Sequence, residues 1–364
     1  MKNSFGQNLI VTLFGESHGP AVGAVLDGLA PGIKVDNDFI RHQLTLRRPA
    51  GGISTARREA DEFQIVSGVF NDRTTGTPLC LLIPNNRANS GDYEDIRSLA
   101  RPGHADYTAY CKYHGFADHR GGGHFSGRIT AALTAAGAIV IPALAEKGIL
   151  IGSHIKSCGD IADRDFDDIP QDIADLSQRQ FAVLDDVEGA AMQETIAQAA
   201  ADGDSVGGVL ETVVWGLPAG LGEPWFDTVE GLLAHALFSI PAVKGVQFGA
   251  GFDLAGSRGS SFNDSFYMDG GQIKTQTNNN GGINGGLTNG MPVLFRCAVK
   301  PTPSIYQEQK TVDFMAGRDA TLRLSGRHDP AIIHRARVVV DSMTALVVAD
   351  LLTGRFGVDY LGGE

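Results

Sequence analysis

Residues 119–145 read HRGGGHFSGRITAALTAAGAIVIPALA, a basic, glycine-rich loop followed by an apolar run. The apolar run, 131–145, is too short for a bilayer span, which needs roughly 20 apolar residues. We therefore interpret it as part of a buried core helix over 126–147, bent at Pro142. The three glycines before this helix are suited to holding an anion against backbone N–H groups.

The remaining apolar runs predict strands and helices in mixed order. Strands are predicted at 9–14, 21–26, 63–70, 78–83, 149–157, 206–215, 245–252 and 291–299. Further helices are predicted from Asp36 or Asn37 onward and at 105–114, 188–201, 228–239 and 331–352. Residues 160–179 are acidic and predict a solvated excursion. Because strands and helices do not alternate regularly, their order favours α+β layers. We predict one domain, 1–364, with two related halves.

Composition narrows the functional class. The 364 residues are 43% hydrophobic, which excludes a mostly disordered chain, and the net charge of −12 disfavours nucleic-acid binding. The N-terminus lacks a signal pattern, and the four scattered cysteines fit a reducing compartment. We expect a cytoplasmic protein that binds neither nucleic acid nor membrane.

Two early segments concentrate basic residues in loops. Residues 15–19 read GESHG, where His18 follows a strand and either reaches a ligand or bonds to backbone. Residues 47–52 read RRPAGG, and 57–58 add two arginines. Such a patch either binds carboxylate or phosphate, for which the guanidinium fork is suited, or is a solvated basic loop.

A third segment, 101–106, reads RPGHAD and precedes a predicted helix. Free N–H groups at a helix N-terminus favour an anion, to which His104 could donate a proton. The alternative is that Asp106 caps the helix and the histidine is incidental.

Later segments add further loops of the same kind. The loop at 119–128 matches neither the P-loop nor the dinucleotide fingerprint, so it either holds a phosphate-bearing cofactor or is simply flexible. Residues 278–290 read NNNGGINGGLTNG, which is typical of a disordered loop. Residues 300–304 read KPTPS, and 326–330 read GRHDP just before the last helix.

The histidine spacing predicts no metal site, since His114, His119 and His124 recur every five residues. A nucleophile elbow is also missing, which disfavours a hydrolase. From the residues alone, we predict that these loops converge on a polyanionic small molecule.

Taken in order, ten motifs between about residue 5 and residue 350 resemble the chorismate synthase family. They are FGESHG, RRP, RREAD (57–61), SGVF with TTGTP, RPGHADYT, RGGG, AVKGV (242–246), GGINGG, KPTPS and GRHDP.

The resemblance implies the last step of the shikimate pathway. In that step, 5-enolpyruvylshikimate 3-phosphate loses phosphate and a ring hydrogen by anti 1,4-elimination to give chorismate, a carbon–oxygen lyase reaction. The family requires reduced FMN although the reaction has no net redox change. The resemblance also implies a β-α-β sandwich with internal pseudo-symmetry and a homotetramer.

The resemblance also implies residue roles. His104 would protonate the departing phosphate, His18 would donate a proton to the reduced flavin, and Asp329 would help the flavin N5 take the ring proton. Substrate anions are expected at Arg48, Arg101, Arg128 and Arg327. The FMN contacts would be His124, Phe125, Ser126, Pro241, Ala242, Gly285, Lys300, Pro301, Thr302, Pro303, Ser304 and Arg327.

Two departures from the family pattern affect the cofactor. After the three glycines, His124-Phe125-Ser126 replaces the usual Arg-Ser-Ser, which removes one cation. Residues 51–53 read GGI where the family has an arginine linked to a nicotinamide cofactor. We therefore expect an external flavin reductase, with NADPH as the other candidate reductant. Two alternatives are a flavin- or phosphosugar-binding protein of the same fold without this chemistry, and a non-catalytic anion-binding module.

Overall fold

A computed structural model describes residues 2–49, 51–54, 61–85, 97–324 and 328–363. Its α-helices are α1 Asn37–Arg47, α2 Asp106–Tyr113, α3 Thr130–Glu146, α4 Ile169–Leu176, α5 Asp186–Ala201, α6 Val229–Leu237, α7 Gly259–Phe262 and α8 Ile333–Phe356. Its strands are β1 Ser4–Phe5, β2 Ile10–Gly15, β3 Ala21–Asp27, β4 Gln64–Ser67, β5 Val69–Phe70, β6 Arg73–Thr74, β7 Leu79–Pro84, β8 Leu150–Cys158, β9 Ile161–Ala162, β10 Gly208–Trp215, β11 Val243–Phe248, β12 Phe266–Asp269, β13 Gln272–Thr275, β14 Ile283–Asn284, β15 Leu287–Thr288, β16 Val293–Val299, β17 Gln309–Asp313 and β18 Arg318–Leu322.

Two five-stranded antiparallel sheets enclose a layer of helices. The sheets have the strand orders β1-β2-β3-β7-β4 and β11-β16-β10-β8-β9. Helix α3 contacts β3 and β7 of one sheet and β8 of the other, and it packs along α8. The arrangement confirms the predicted α+β class and the β-α-β sandwich.

The two halves of the chain repeat one topology. The first half runs β2, β3, α1, β4, β7, α3, and the second runs β8, β10, α6, β11, β16, α8, with other elements inserted. In each sheet the four main strands are ordered first, second, fourth, third. The predicted internal pseudo-symmetry is therefore confirmed, and each half contributes one long helix to the central layer.

The apolar run 131–145 lies at the centre of this layer. Helix α3 is buried along most of its length, as predicted, and Pro142 lies inside it. A β-carbon at Gly137 would lie 2.4 Å from the Ser342 side chain on α8, so the two backbones approach as closely as glycine permits. Among the described residues, Gly127–Glu146 is the one helical stretch long and apolar enough to cross a membrane, and most of it is buried within the fold.

Most predicted elements are confirmed to within four residues at each end. The predicted strand 63–70 is divided into β4 and β5 at Gly68, which adopts φ +83°. A β-carbon at this position would lie 2.4 Å from the Leu79 Cα, which accounts for the glycine.

The predicted solvated excursion at 160–179 is wrong. The segment contains β9 and α4, and Ile173 and Leu176 are buried. Two of its carboxylates are also buried, because Asp163 accepts hydrogen bonds from the Leu184 and Asp185 N–H groups and Asp172 pairs with Arg164. Charge density alone did not predict these internal partners.

The asparagine- and glycine-rich run 278–290, typical of a disordered loop, instead forms the β14–β15 hairpin. The Asp264 carboxylate accepts hydrogen bonds from the Asn279 and Asn280 N–H groups and from the Thr277 hydroxyl. A single distant carboxylate therefore orders the start of this run.

A buried polar network lies on the second sheet. The His154 ring hydrogen-bonds Asp163 at 2.7 Å and Glu211 at 3.2 Å, and Arg296 Nε donates to Glu211 at 2.6 Å. Burial disfavours the charged imidazolium, but the two carboxylates outweigh it and raise the pKa of His154. When it is protonated, His154 therefore bridges two carboxylates inside the fold.

This network predicts a pH dependence of stability. The pKa of His154 is raised in the folded protein, so its contribution is complete below the unfolded value of about 6.5 and is lost as pH rises through the folded value. The difference in free energy of unfolding between wild type and His154→Gln should shrink above about pH 6.5 in urea titrations. His42→Gln is the control, because that ring hydrogen-bonds the neutral Ser177 carbonyl. A difference that stays constant with pH would contradict the prediction.

Candidate active site

Loops from both halves of the chain border one cavity of about 1480 Å³. This volume exceeds the 300–1,000 Å³ that is usual for one small ligand. Its described lining includes eight lysine and arginine side chains and five carboxylates, so the cavity is positive although the protein is negative. The cavity therefore suits an anionic ligand, with room for a second molecule.

The cavity collects most of the residues singled out in the sequence. The predicted residues that line it are Arg48, Arg101, His104, His124, Phe125, Ser126, Arg128, Pro241, Ala242, Lys300, Thr302, Pro303 and Asp329. Those outside the lining are His18, Gly285, Pro301 and Ser304. Arg327, like Arg57 and Arg58, lies outside the described residues.

His18 lies directly behind the cavity wall. Its ring is so close to Gly121 that a β-carbon there would lie 2.4 Å from the ring, and Gly121 itself lines the cavity. The neighbouring Ser17 N–H donates to the Gly123 carbonyl at 3.0 Å. The GESHG loop and the triple-glycine loop therefore form one layer of the wall.

The triple-glycine loop needs its glycines. Gly121, Gly122 and Gly123 have φ values of +60°, +83° and +54°, which other residues adopt at a cost. The His124 ring that follows hydrogen-bonds the Gly15 carbonyl through Nδ1 at 2.7 Å. This contact, like the Ser17–Gly123 bond, fixes the loop against the end of β2.

Among the described residues, three predicted FMN contacts do not line the cavity, but two of them adjoin residues that do. Ser304 hydrogen-bonds His104, while Pro301 lies between the lining residues Lys300 and Thr302. Gly285 lies in the turn of the β14–β15 hairpin, where its neighbour Gly286 accepts the Val229 N–H at the start of α6.

His104 is a neutral, oriented imidazole. Its Nε2 lies 2.8 Å from the Ser304 hydroxyl. Burial lowers its pKa to about 4, and the charges of Arg101 and Lys300 act in the same direction. The ring is therefore unprotonated near neutral pH, and a bound anion would oppose that shift.

The loop that carries His104 is held on two sides. Arg101 donates through Nε and Nη2 to both carboxylate oxygens of Asp106, at 2.8 and 2.7 Å. Lys300 donates from Nζ to the Gly103 carbonyl at 2.6 Å. Asp106 is the first residue of α2 and accepts the Arg101 N–H, rather than capping that helix from its N-cap position.

Asp61 joins three arginines at the cavity wall. Its carboxylate binds Arg47 Nη2 at 2.9 Å and Arg128 Nη1, and it lies 4.0 Å from Arg48 Nε. In the sequence, Asp61 is the last residue of the RREAD motif, and nothing in that motif predicts its role.

Asp329 is paired with a residue that sequence reasoning also missed. Arg335 donates from Nη1 to Asp329 at 2.5 Å and from Nε to the Arg47 carbonyl at 3.0 Å. Arg335 lies on the first turn of α8, so its position next to the GRHDP motif was the available signal. Arg97, Lys2 and His235 also line the cavity, without any sequence signal that pointed to them.

Some buried donors of the wall are unsatisfied. Within the part of the chain that the structure describes, the Thr302 hydroxyl and the Nε atoms of Arg47 and Arg48 have no hydrogen-bond partner. Buried polar groups are normally paired, so these unpaired donors are unusual for a protein interior. Among the described residues, no group of three or more His, Cys, Asp or Glu side chains is arranged to hold a metal ion.

The glycine loop generates a prediction with an internal control. Gly121→Ala requires a left-handed alanine and overlaps the His18 ring, so it should reduce the free energy of unfolding by about 1–3 kcal/mol. Gly127→Ala has nothing within 4 Å of the new methyl group and should change it by less than about 0.5 kcal/mol. Urea denaturation of both variants measures the difference, and equal effects would contradict the described packing of His18.

Comparisons with known proteins agree on one family. A family model described as chorismate synthase matches residues 9–353. A chorismate synthase of Thermococcus kodakarensis is 46% identical over 96% of this chain and 97% of its own length. One of Dehalococcoides mccartyi is 48% identical over 96% of each chain. A solved structure described as "Crystal Structure of Chorismate Synthase" has a TM-score of 0.76 and 29% identity, covering 97% of this chain and 94% of that one.

The matches extend over both sheets, the central helices and the loops around the cavity. This agreement in sequence and fold identifies the chain as an enzyme with a small-molecule substrate. The chain belongs to the chorismate synthase family, whose enzymes are carbon–oxygen lyases of aromatic amino acid biosynthesis.

Proposed function

We propose that this enzyme uses reduced FMN to catalyse the anti 1,4-elimination of phosphate from 5-enolpyruvylshikimate 3-phosphate, giving chorismate. The observation that carries the proposal is the joint placement of Arg48, Arg101, His104, Arg128 and Asp329 around one positive cavity. These residues come from segments far apart in the sequence, and a phosphate with two carboxylates is the kind of ligand that several arginines bind.

His104 is proposed as the general acid for the departing phosphate. The ring is neutral near pH 7 because burial and nearby cations lower its pKa to about 4. A phosphate dianion bound beside Arg101 and Lys300 would offset those cations and raise this pKa, so that the ring takes up a proton with the substrate. The Ser304 hydroxyl, 2.8 Å from Nε2, fixes the ring orientation.

Asp329 and His18 are proposed to hold protons on the other side of the reaction. The Arg335 guanidinium orients the Asp329 carboxylate, which would hold the proton that leaves the ring. His18, behind the glycine loop, would donate a hydrogen bond toward the cofactor.

The residues of the cavity fit a flavin phosphate cofactor. Lys300 supplies a cation, Thr302 a buried hydroxyl without a partner among the described residues, and 124–126 a loop next to close-packed glycines. Bound reduced FMN supplies an electron-rich flavin that is not consumed in the overall reaction. We propose that an external flavin reductase provides it, with NADPH as the other candidate reductant.

We also propose that the enzyme acts in the cytoplasm as a homotetramer. Exposed aromatic side chains, among them Trp225, Phe226 and Phe252, offer apolar surface for contacts between subunits.

The direct test is an anaerobic assay with photoreduced FMN and 5-enolpyruvylshikimate 3-phosphate. We expect chorismate and inorganic phosphate in equal amounts, with no product when FMN remains oxidised. Binding of FMN and substrate without chorismate would instead support a flavin- or anion-binding protein of the same fold.

The proposed role of His104 predicts a paired kinetic and calorimetric effect. His104→Asn should lower kcat by about 10²-fold or more, because an amide cannot donate an acidic proton. Isothermal titration in two buffers of different ionisation enthalpy should show proton uptake when substrate binds to wild type near pH 7. We expect the variant to take up fewer protons, while proton exchange by the substrate itself is common to both proteins. Equal proton uptake by the two would overturn the role.

A further inference from the structure

Asp61 is the most enclosed carboxylate of the cavity wall. Its side chain is 0% exposed, although it belongs to the cavity lining, and it pairs with Arg47 and Arg128 on different oxygens. Arg48 Nε lies 4.0 Å from one of the same oxygens. One carboxylate thus lies among three guanidinium groups, which leaves this arginine cluster with two net positive charges.

The arginine cluster depends on that carboxylate electrostatically. Burial lowers the pKa of Arg47, whereas the Asp61 charge acts in the opposite direction. Burial would raise the pKa of Asp61, but the charges of Arg47 and Arg128 outweigh it and hold this pKa below its usual range. Asp61 is therefore ionised, and without it the enclosed guanidinium groups of Arg47 and Arg128 and the half-buried one of Arg48 would repel one another.

The cluster is also connected to the scaffold. Arg47 Nη1 lies 3.4 Å from the Thr130 hydroxyl at the start of α3, and Arg128 Nε donates to the Asn85 side chain at 2.9 Å. Asp61 thereby joins the end of α1 to the start of α3. Arg48 is the most exposed of the three arginines, with 32% of its side chain accessible, so it can contact a ligand while Asp61 holds the other two.

We propose that Asp61 is a positioning residue that assembles Arg47, Arg48 and Arg128 into one receptor for a doubly charged anionic group. Phosphate and a pair of carboxylates both have this charge. The identification of that group as part of the substrate rests on the proposed function, whereas the assembly of the receptor does not.

The direction in which anion affinity changes when Asp61 is removed distinguishes a positioning role from a role in charge balance alone. If Asp61 only reduced the positive charge, its removal would strengthen anion binding. If it positions the arginines, its removal weakens binding despite the added positive charge. Asparagine is the suitable replacement because Asp61 has φ +48°, a conformation that asparagine tolerates.

The experiment titrates inorganic phosphate into wild type and Asp61→Asn by calorimetry at low salt, and it also determines the kcat and KM for chorismate formation. We expect phosphate affinity to fall and KM to rise by roughly ten- to a hundredfold, as for the loss of charge-assisted hydrogen bonds. We expect kcat to change by less than KM. Equal or tighter phosphate binding by the variant would overturn the proposal.

Two further variants protect the interpretation. Asp172→Asn removes a carboxylate from a different arginine pair, outside the cavity lining, and should leave phosphate binding and KM unchanged. If Asp61→Asn does not unfold cooperatively in urea, Asp61→Glu keeps the charge but displaces it by one methylene. We expect that variant to bind phosphate more weakly and to have a higher KM, and wild-type values for both would overturn the proposal.

The outcomes for Asp61 and for the overall function are separable. Weakened phosphate binding in Asp61→Asn, together with no chorismate from wild type, would retain the receptor and reject the proposed reaction. Chorismate formation by wild type with unchanged phosphate binding in the variant would retain the reaction and reject the positioning role.

Discussion

The close contact between α3 and α8 fixes how the two halves of the chain lie against each other. Gly137 removes the β-carbon that would otherwise meet Ser342, so the long helices of the two halves lie backbone to backbone. Each helix begins at the cavity: α3 after the glycine loop and Arg128, α8 after Asp329. The packing distance between α3 and α8 therefore sets the distance between the charged loops of the two halves.

The second theme is the internal pairing of charge. An acidic protein presents a positive cavity because arginines from both halves are gathered there and only partly neutralised by Asp61, Asp106 and Asp329. Each of these carboxylates fixes the direction of at least one guanidinium. Burying charges is costly unless they are paired, and the same pairing leaves a receptor with defined geometry. The pairing therefore gives the site a fixed orientation of its guanidinium groups more than it gives net charge.

Much of the site was predictable because it lies in short motifs of glycine, arginine and histidine. Thirteen of the predicted residues line one cavity, and His18 lies directly behind its wall. Asp61 was missed because its role exists only through arginines that folding brings together, whereas Arg335 lies six residues from Asp329 and was overlooked beside the GRHDP motif. The acidic segment 160–179 was misjudged because its buried carboxylates are satisfied by Arg164 within the segment and by backbone N–H groups at 184 and 185.

The sequence by itself determined the elements, the α+β class and the family, because apolar periodicity and local motifs are properties of neighbouring residues. Three features depended on the tertiary structure. They are the meeting of the loops at one cavity, the lowered pKa of His104 and the joining of three arginines by one carboxylate. These features arise from burial and from Coulomb interactions between residues distant in the chain. Such interactions depend on distance in space, which a linear pattern does not contain.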